Sequence, residues 1–129
     1  MKRVVVTGLG IISSIGNNFK EVRKSLKSLA SGIEINQKNR DMGLRSHISG
    51  NIKGIDLKEE IDRKAYRFMG DAAAYGYLSA IQAIQDSGLN QKDISNERTG
   101  LIMGSGGASS EDQIDAADIL RSKGLRRIG

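Results

Sequence analysis

The chain of 129 residues carries 20 Lys and Arg against 15 Asp and Glu, one His, and no Cys, Pro or Trp. A length of this order holds one domain or part of one, and the 32 Ile, Leu, Val and Phe residues are enough for a packed core. The missing cysteine excludes a disulfide scaffold, a thiolate metal site and a cysteine nucleophile within this chain, while the single His47 excludes His-rich metal sites.

The N-terminal Met1-Lys2-Arg3-Val4-Val5-Val6-Thr7-Gly8 is too short in apolar length for a signal peptide, and no run of about 18 apolar residues follows. We therefore expect a cytoplasmic protein that does not bind a membrane. The net charge of +5 permits an acidic partner, but Phe19, Tyr66, Phe68, Tyr75 and Tyr77 are not interleaved with a long basic tract, so no nucleic-acid partner is expected. No metal or cofactor is expected either.

In chain order, Val4-Val5-Val6 before Gly8 and Gly10 predicts a short strand buried on both faces. Asn17 or Asn18 can cap a helix with Phe19, Val22, Leu26 and Leu29 at helical spacing, cations on the other face, and Gly32 as its end. Residues 33–54 show no sustained period and predict loops with a short strand pair. A long helix is predicted over about 62–87, closed by Gly88. Its small residues Gly70, Ala72, Ala73, Ala74, Gly76 and Ala80 imply tight enclosure, with a break near Gly70 allowed. Residues 99–104 predict a second buried strand, 105–110 a glycine-serine turn, and about 111–121 a helix. Two strands cannot form a covered parallel sheet, so the chain reads as unfinished.

Gly8-Leu9-Gly10-Ile11-Ile12-Ser13 resembles the start of a dinucleotide fingerprint, but Ser13 stands where the third glycine belongs and the helix starts late, so a tight turn is the plainer reading. His47 has no partner for metal binding or base catalysis nearby in sequence and reads as structural. Ser105 to Ser110 lacks the Gly-x-Ser-x-Gly elbow, and close backbone packing accounts for its glycines. Arg63, Lys64 and Arg67 crowd a predicted helix N-terminus, where cations oppose the macrodipole, and Lys123, Arg126 and Arg127 form a second basic group. Each group is either a solvated face or an anion-binding surface.

Four strings occur in order: Lys2 to Asn18, Arg45-Ser46-His47, Ile61-Asp62-Arg63-Lys64 with Arg67-Phe68-Met69, and Gly100-Leu101-Ile102-Met103-Gly104-Ser105-Gly106-Gly107. Together they resemble the N-terminal third of a β-ketoacyl-[acyl-carrier-protein] synthase, closest to the synthase I type of bacterial type II fatty acid synthesis. The resemblance covers essentially the whole chain. It implies an α/β protein, the N-terminal part of a thiolase-like fold with an incomplete sheet, in which residues 1–129 form a truncated part of the first half. Full-length members are implied to be homodimers.

In that family a cysteine takes an acyl group from acyl carrier protein, and two histidines assist decarboxylation of malonyl-carrier protein and the condensation that follows. Those positions are implied to lie beyond residue 129, so no catalytic residue is expected in this chain. Arg63, Lys64, Arg67, Lys123 and Arg126 match the surface that receives acidic acyl carrier protein, and Gly106 and Gly107 match a turn near the acyl pocket. The chain departs from the family pattern by one residue fewer between Arg121 and Gly124. A non-catalytic carrier-binding module and a dinucleotide-binding domain are the alternative readings.

Overall fold

Short polar side chains start most of the helices. In the computed structural model, which describes residues 2–128, Asn18 Oδ1 accepts the Glu21 N–H at 3.0 Å and opens α1 (Phe19–Lys27). Asn36 opens α2 (Gln37–Asp41), Asp56 opens α3 (Leu57–Glu60), Asp62 opens α4 (Arg63–Tyr66) and Ser109 opens α7 (Ser110–Lys123) in the same way. Each cap satisfies a backbone donor that has no partner in the first turn. Between these elements lie β1 (Ile33–Ile35), β2 (Ile48–Gly50), the 17-residue α5 (Asp71–Ser87) and α6 (Gln91–Ile94).

The described residues form two compact units. The first runs through Ile55 and includes Ser79–Asn90, and the second comprises Asp56–Leu78 with the residues from Gln91 onward. Helix α5 is shared, its first half belonging to the second unit and its second half to the first.

In the first unit, β1 and β2 pair antiparallel with Ile33 opposite Gly50, Glu34 opposite Ser49 and Ile35 opposite Ile48, the short strand pair expected in 33–54. The His47 carbonyl extends the hairpin by accepting the Asn36 N–H at 2.7 Å. Helix α1 buries Val22 but ends earlier than predicted. Ser28 is the cap, the Ala30 N–H reaches back to the Ser25 carbonyl at 2.9 Å, and Leu29 takes the left-handed position at φ 55° that usually falls to glycine. The chain has already turned before Gly32, which therefore does not close the helix.

The expected strand at Val4–Val6 is not formed, and Val4 is 91 % exposed. A parallel strand needs ladder neighbours on its edges, and among the described residues none pairs with it. The segment that follows is laid along α5 instead. The Leu9 N–H donates to Asp86 Oδ2 at 2.9 Å, the Ile11 N–H to Gln82 Oε1 at 3.1 Å, and Gln82 Nε2 donates to the Asn17 carbonyl at 2.8 Å. Contact is so close that a Cβ on Gly10 would lie 1.8 Å from the Ser79 carbonyl oxygen, and one on Gly8 2.1 Å from that of Ala83. These glycines serve helix packing. The tight turn falls further on, where Ser13 and Gly16 exchange backbone hydrogen bonds of 2.9 and 3.2 Å.

In the second unit the predicted helix over 62–87 is two helices, α4 and α5, separated by Arg67–Gly70, which is the break allowed at Gly70. α3 was not anticipated, although Asp56 and Glu59 stand at the spacing of a capping pair. α5 ends at Gly88 with φ 66°, as predicted. Its enclosure is one-sided: Ala74 and Leu78 are buried, while Tyr77 and Ile84 remain exposed. Leu101–Met103 forms no strand among the described residues, and Ile102 is 98 % exposed, for the same want of ladder neighbours.

Candidate functional site

The first basic group is built by two short helices. Asp56 Oδ1 accepts the Lys58 N–H and Asp62 Oδ1 the Lys64 N–H, both at 2.9 Å, while the buried Leu57 and Ile61 anchor the segment. The result is an open depression of about 760 Å³ lined by Lys58, Arg63, Lys64, Tyr66 and Arg67. Four of the five lining residues are cations and none is acidic. Arg63, Lys64 and Arg67 are exposed and make no ion pair among the described residues, and the Arg67 guanidinium lies 5.4 Å from the centre of the Phe68 ring.

The long helix expected to begin at about residue 62 is not the element that carries these cations. Arg63 and Lys64 do not sit at the positive end of a long helix, because α4 has only 4 residues and the Asp62 carboxylate already caps it. Opposition to a macrodipole is therefore small. What sets these cations together is the shared depression that they line with no acidic residue. Lys58 and Tyr66, which sequence reasoning did not single out, join them because the chain turns between α3 and α4.

The second basic group is looser. Lys123 and Arg127 line a depression of about 550 Å³ with Ile119. Arg126 is exposed in the 3-10 turn Leu125–Arg127 and does not line it. The structure thus brings Lys123 together with Arg127 rather than with Arg126. The guanidinium of Arg121 is occupied by Asp118 at 3.1 Å.

The glycine turn borders a third depression, of about 390 Å³, where Gly107 and Ser105 face Gly70, Met103 and Asp112. Gly106 does not line it, and a Cβ on either Gly106 or Gly107 would meet nothing within 4 Å. A Cβ on Gly70 would fall 2.3 Å from Asp112 Oδ2, the end of an exposed side chain that can turn aside. Ser105 Oγ donates to the Gly107 carbonyl at 2.9 Å and so braces the turn. On α5, burial and then the Asp71 charge raise the Tyr75 phenol above its ordinary pKa, so it stays neutral. His47 is exposed on the hairpin of the other unit. Among the described residues, no cluster of acidic or imidazole side chains could hold a metal ion, and no helix is long and apolar enough to cross a membrane.

Compared with solved structures, the chain resembles a β-ketoacyl synthase from Burkholderia phymatum STM815, with a TM-score of 0.79 and 26 % identity over 99 % of this chain and 32 % of that one. The fold is accordingly the N-terminal part of a thiolase-like α/β fold, with an incomplete sheet. Residues 1–127 match the family described as beta-ketoacyl synthase, N-terminal domain, and the chain belongs to it.

Among curated relatives, 3-oxoacyl-[acyl-carrier-protein] synthase 1 of Haemophilus influenzae is 52 % identical over 130 residues, and that of Escherichia coli K12 is 51 % identical over 131. Synthase 2 of Staphylococcus aureus N315 is 32 % identical over 127 residues, 98 % of this chain and 31 % of the relative. The chain spans about a third of the length of the curated relatives it matches, with 32 % of each synthase 1 covered.

Proposed function

We propose that this chain is the N-terminal fragment of a 3-oxoacyl-[acyl-carrier-protein] synthase, an acyltransferase that condenses acyl groups with malonyl-acyl-carrier protein in fatty acid elongation. Residues 1–129 then form part of the first half of its thiolase-like domain. The observation that carries this reading is 52 % identity to a synthase 1 across the full length of the chain. Condensation through a thioester needs a thiolate nucleophile, and the chain has none. The catalytic Cys and His residues then belong to the part of the relatives this chain does not cover, and the fragment alone is inactive. The complete enzyme is read as a cytoplasmic homodimer that needs no cofactor and binds neither membrane nor nucleic acid.

Within it, Arg63, Lys64 and Arg67, with Lys123 and Arg126, receive the acidic acyl carrier protein, and Gly106 and Gly107 form a turn near the acyl pocket. Support for the first group comes from its exposure and from the depression it lines, in which no acidic residue takes part. The dinucleotide alternative loses its basis, because the faces of Gly8 and Gly10 are filled by the backbone of α5. The absence of cysteine and the exposed cations favour a non-catalytic carrier-binding module as the second reading.

The test is Lys64→Glu with Arg67→Glu in a full-length enzyme carrying this sequence. Both side chains are exposed, and an unchanged melting temperature checks that the double variant folds. Charge at the rim of a contact acts on association rate and its salt dependence. The kcat/KM for carrier-bound substrate is expected to fall about tenfold at low ionic strength, with a flatter salt dependence, while a short thioester without carrier keeps its rate. Equal loss with both substrates, or loss with neither, returns these residues to a solvated helix face.

A further inference from the structure

The positive excess of the chain is not where the proposed docking residues lie. The first unit carries ten Lys and Arg against four Asp and Glu, and the second ten against eleven. Much of the excess is concentrated on α1, where Lys20, Arg23, Lys24 and Lys27 follow one another at i, i+3, i+4 and i+7 along about 10 Å of helix. All four are exposed, and with Phe19 and Ser28 they line a depression of about 510 Å³ that contains no acidic residue. Among the described residues, none of the four makes an ion pair.

Glu21, the acid within this helix, is engaged elsewhere. Its carboxylate accepts the Asn17 N–H at 2.8 Å, and this bond, then the Asn18 side chain, holds its pKa below the usual carboxylate value. Lys24 and Lys27 in the last turn suit the helix dipole, but Lys20 and Arg23 do not, and neighbouring cations at these spacings repel. Four cations at mutually repelling spacings, with no ion pair among the described residues, point to a polyanionic partner.

We propose that the basic face of α1 is a second docking surface for the acidic carrier protein, separate from the group around Arg63, Lys64 and Arg67 and engaging a row of its carboxylates. This rests on the preceding functional reading, which supplies an acidic protein as partner. An anionic bilayer fits less well: Val22, at the centre of the apolar stripe of α1, is buried within its own unit, so the helix cannot lay that face into lipid.

The test uses a full-length enzyme carrying this sequence and purified acyl carrier protein with a fluorescent label. Carrier affinity is measured by anisotropy at low and high salt for the parent, for Lys20→Glu with Arg23→Glu, and for Lys64→Glu with Arg67→Glu. An acid at position 20 improves the first turn of α1, so lost binding does not signify lost structure, and an unchanged melting temperature checks this. The α1 pair is expected to weaken carrier binding about threefold to tenfold at low salt, with the difference fading as salt rises and multiplying with that of the other pair.

Parent-like carrier binding by the α1 variant, with the Lys64 and Arg67 variant weakened, overturns this inference and leaves the functional reading intact. Failure of the parent itself to bind carrier overturns both. If the α1 variant instead loses retention on phosphatidylglycerol vesicles while carrier binding is unchanged, the occupant is a membrane and the proposal is wrong.

Discussion

Produced alone, residues 1–129 are expected to aggregate or remain loosely structured, without a cooperative thermal transition. A folded monomer of 13.9 kDa exposes about 6,700 Å² by the usual scaling of surface with mass, whereas this chain exposes 11125 Å². Its buried apolar residues are Val22, Leu57, Ile61, Ala74 and Leu78, while Val4, Val5, Val6, Leu101, Ile102 and Met103 lie open to solvent. Apolar surface of that extent favours association over a monomeric native state. Calorimetry and size exclusion check the point. A soluble monomer unfolding cooperatively, with a heat-capacity change near about 12 to 15 cal/mol/K per residue, contradicts it.

The second large effect concerns the contact of Gly8 and Gly10 with α5. In a chimera whose remaining two-thirds come from the Haemophilus influenzae synthase 1, Gly10→Ala is expected to destabilise by about 3 kcal/mol or more, at the upper end for overpacking. The added methyl group would sit 1.8 Å from a backbone carbonyl oxygen and 2.8 Å from the Ala83 nitrogen, so relief requires moving the helix rather than turning a side chain. Gly107→Ala is the control, because its Cβ meets nothing within 4 Å, and a change within about 0.5 kcal/mol is expected. Urea midpoints measure both. Equal midpoints for Gly10→Ala and its parent would mean that the segment and α5 do not meet as described.

What could be read from the residues was what depends on near neighbours. The cap at Asn18, the break at Gly70, the stop at Gly88 and the short strand pair in 33–54 each follow from side chains within a few positions. What could not be read depends on distant partners. Val4–Val6 and Leu101–Met103 have strand composition, but a strand also needs a ladder partner, and neither segment has one among the described residues. The purpose of Gly8 and Gly10 was hidden for the same reason, since the helix that requires them lies some seventy residues away in sequence. At the candidate site, the cluster of Arg63, Lys64 and Arg67 was evident from spacing. The participation of Lys58, and the pairing of Lys123 with Arg127 rather than Arg126, arise from turns that the residue pattern does not announce.

Condensation activity in that same chimera, beside the chain alone, tests the fragment reading. The chimera is expected to release carbon dioxide from malonyl-carrier protein and form the condensed product within about tenfold of the parent synthase, an allowance of about 1.4 kcal/mol for junction mismatches. The chain alone should form no covalent acyl adduct and release no carbon dioxide. A chimera that folds as a dimer yet remains inactive contradicts the account, as does acyl transfer to Ser105 or any other residue of the isolated chain.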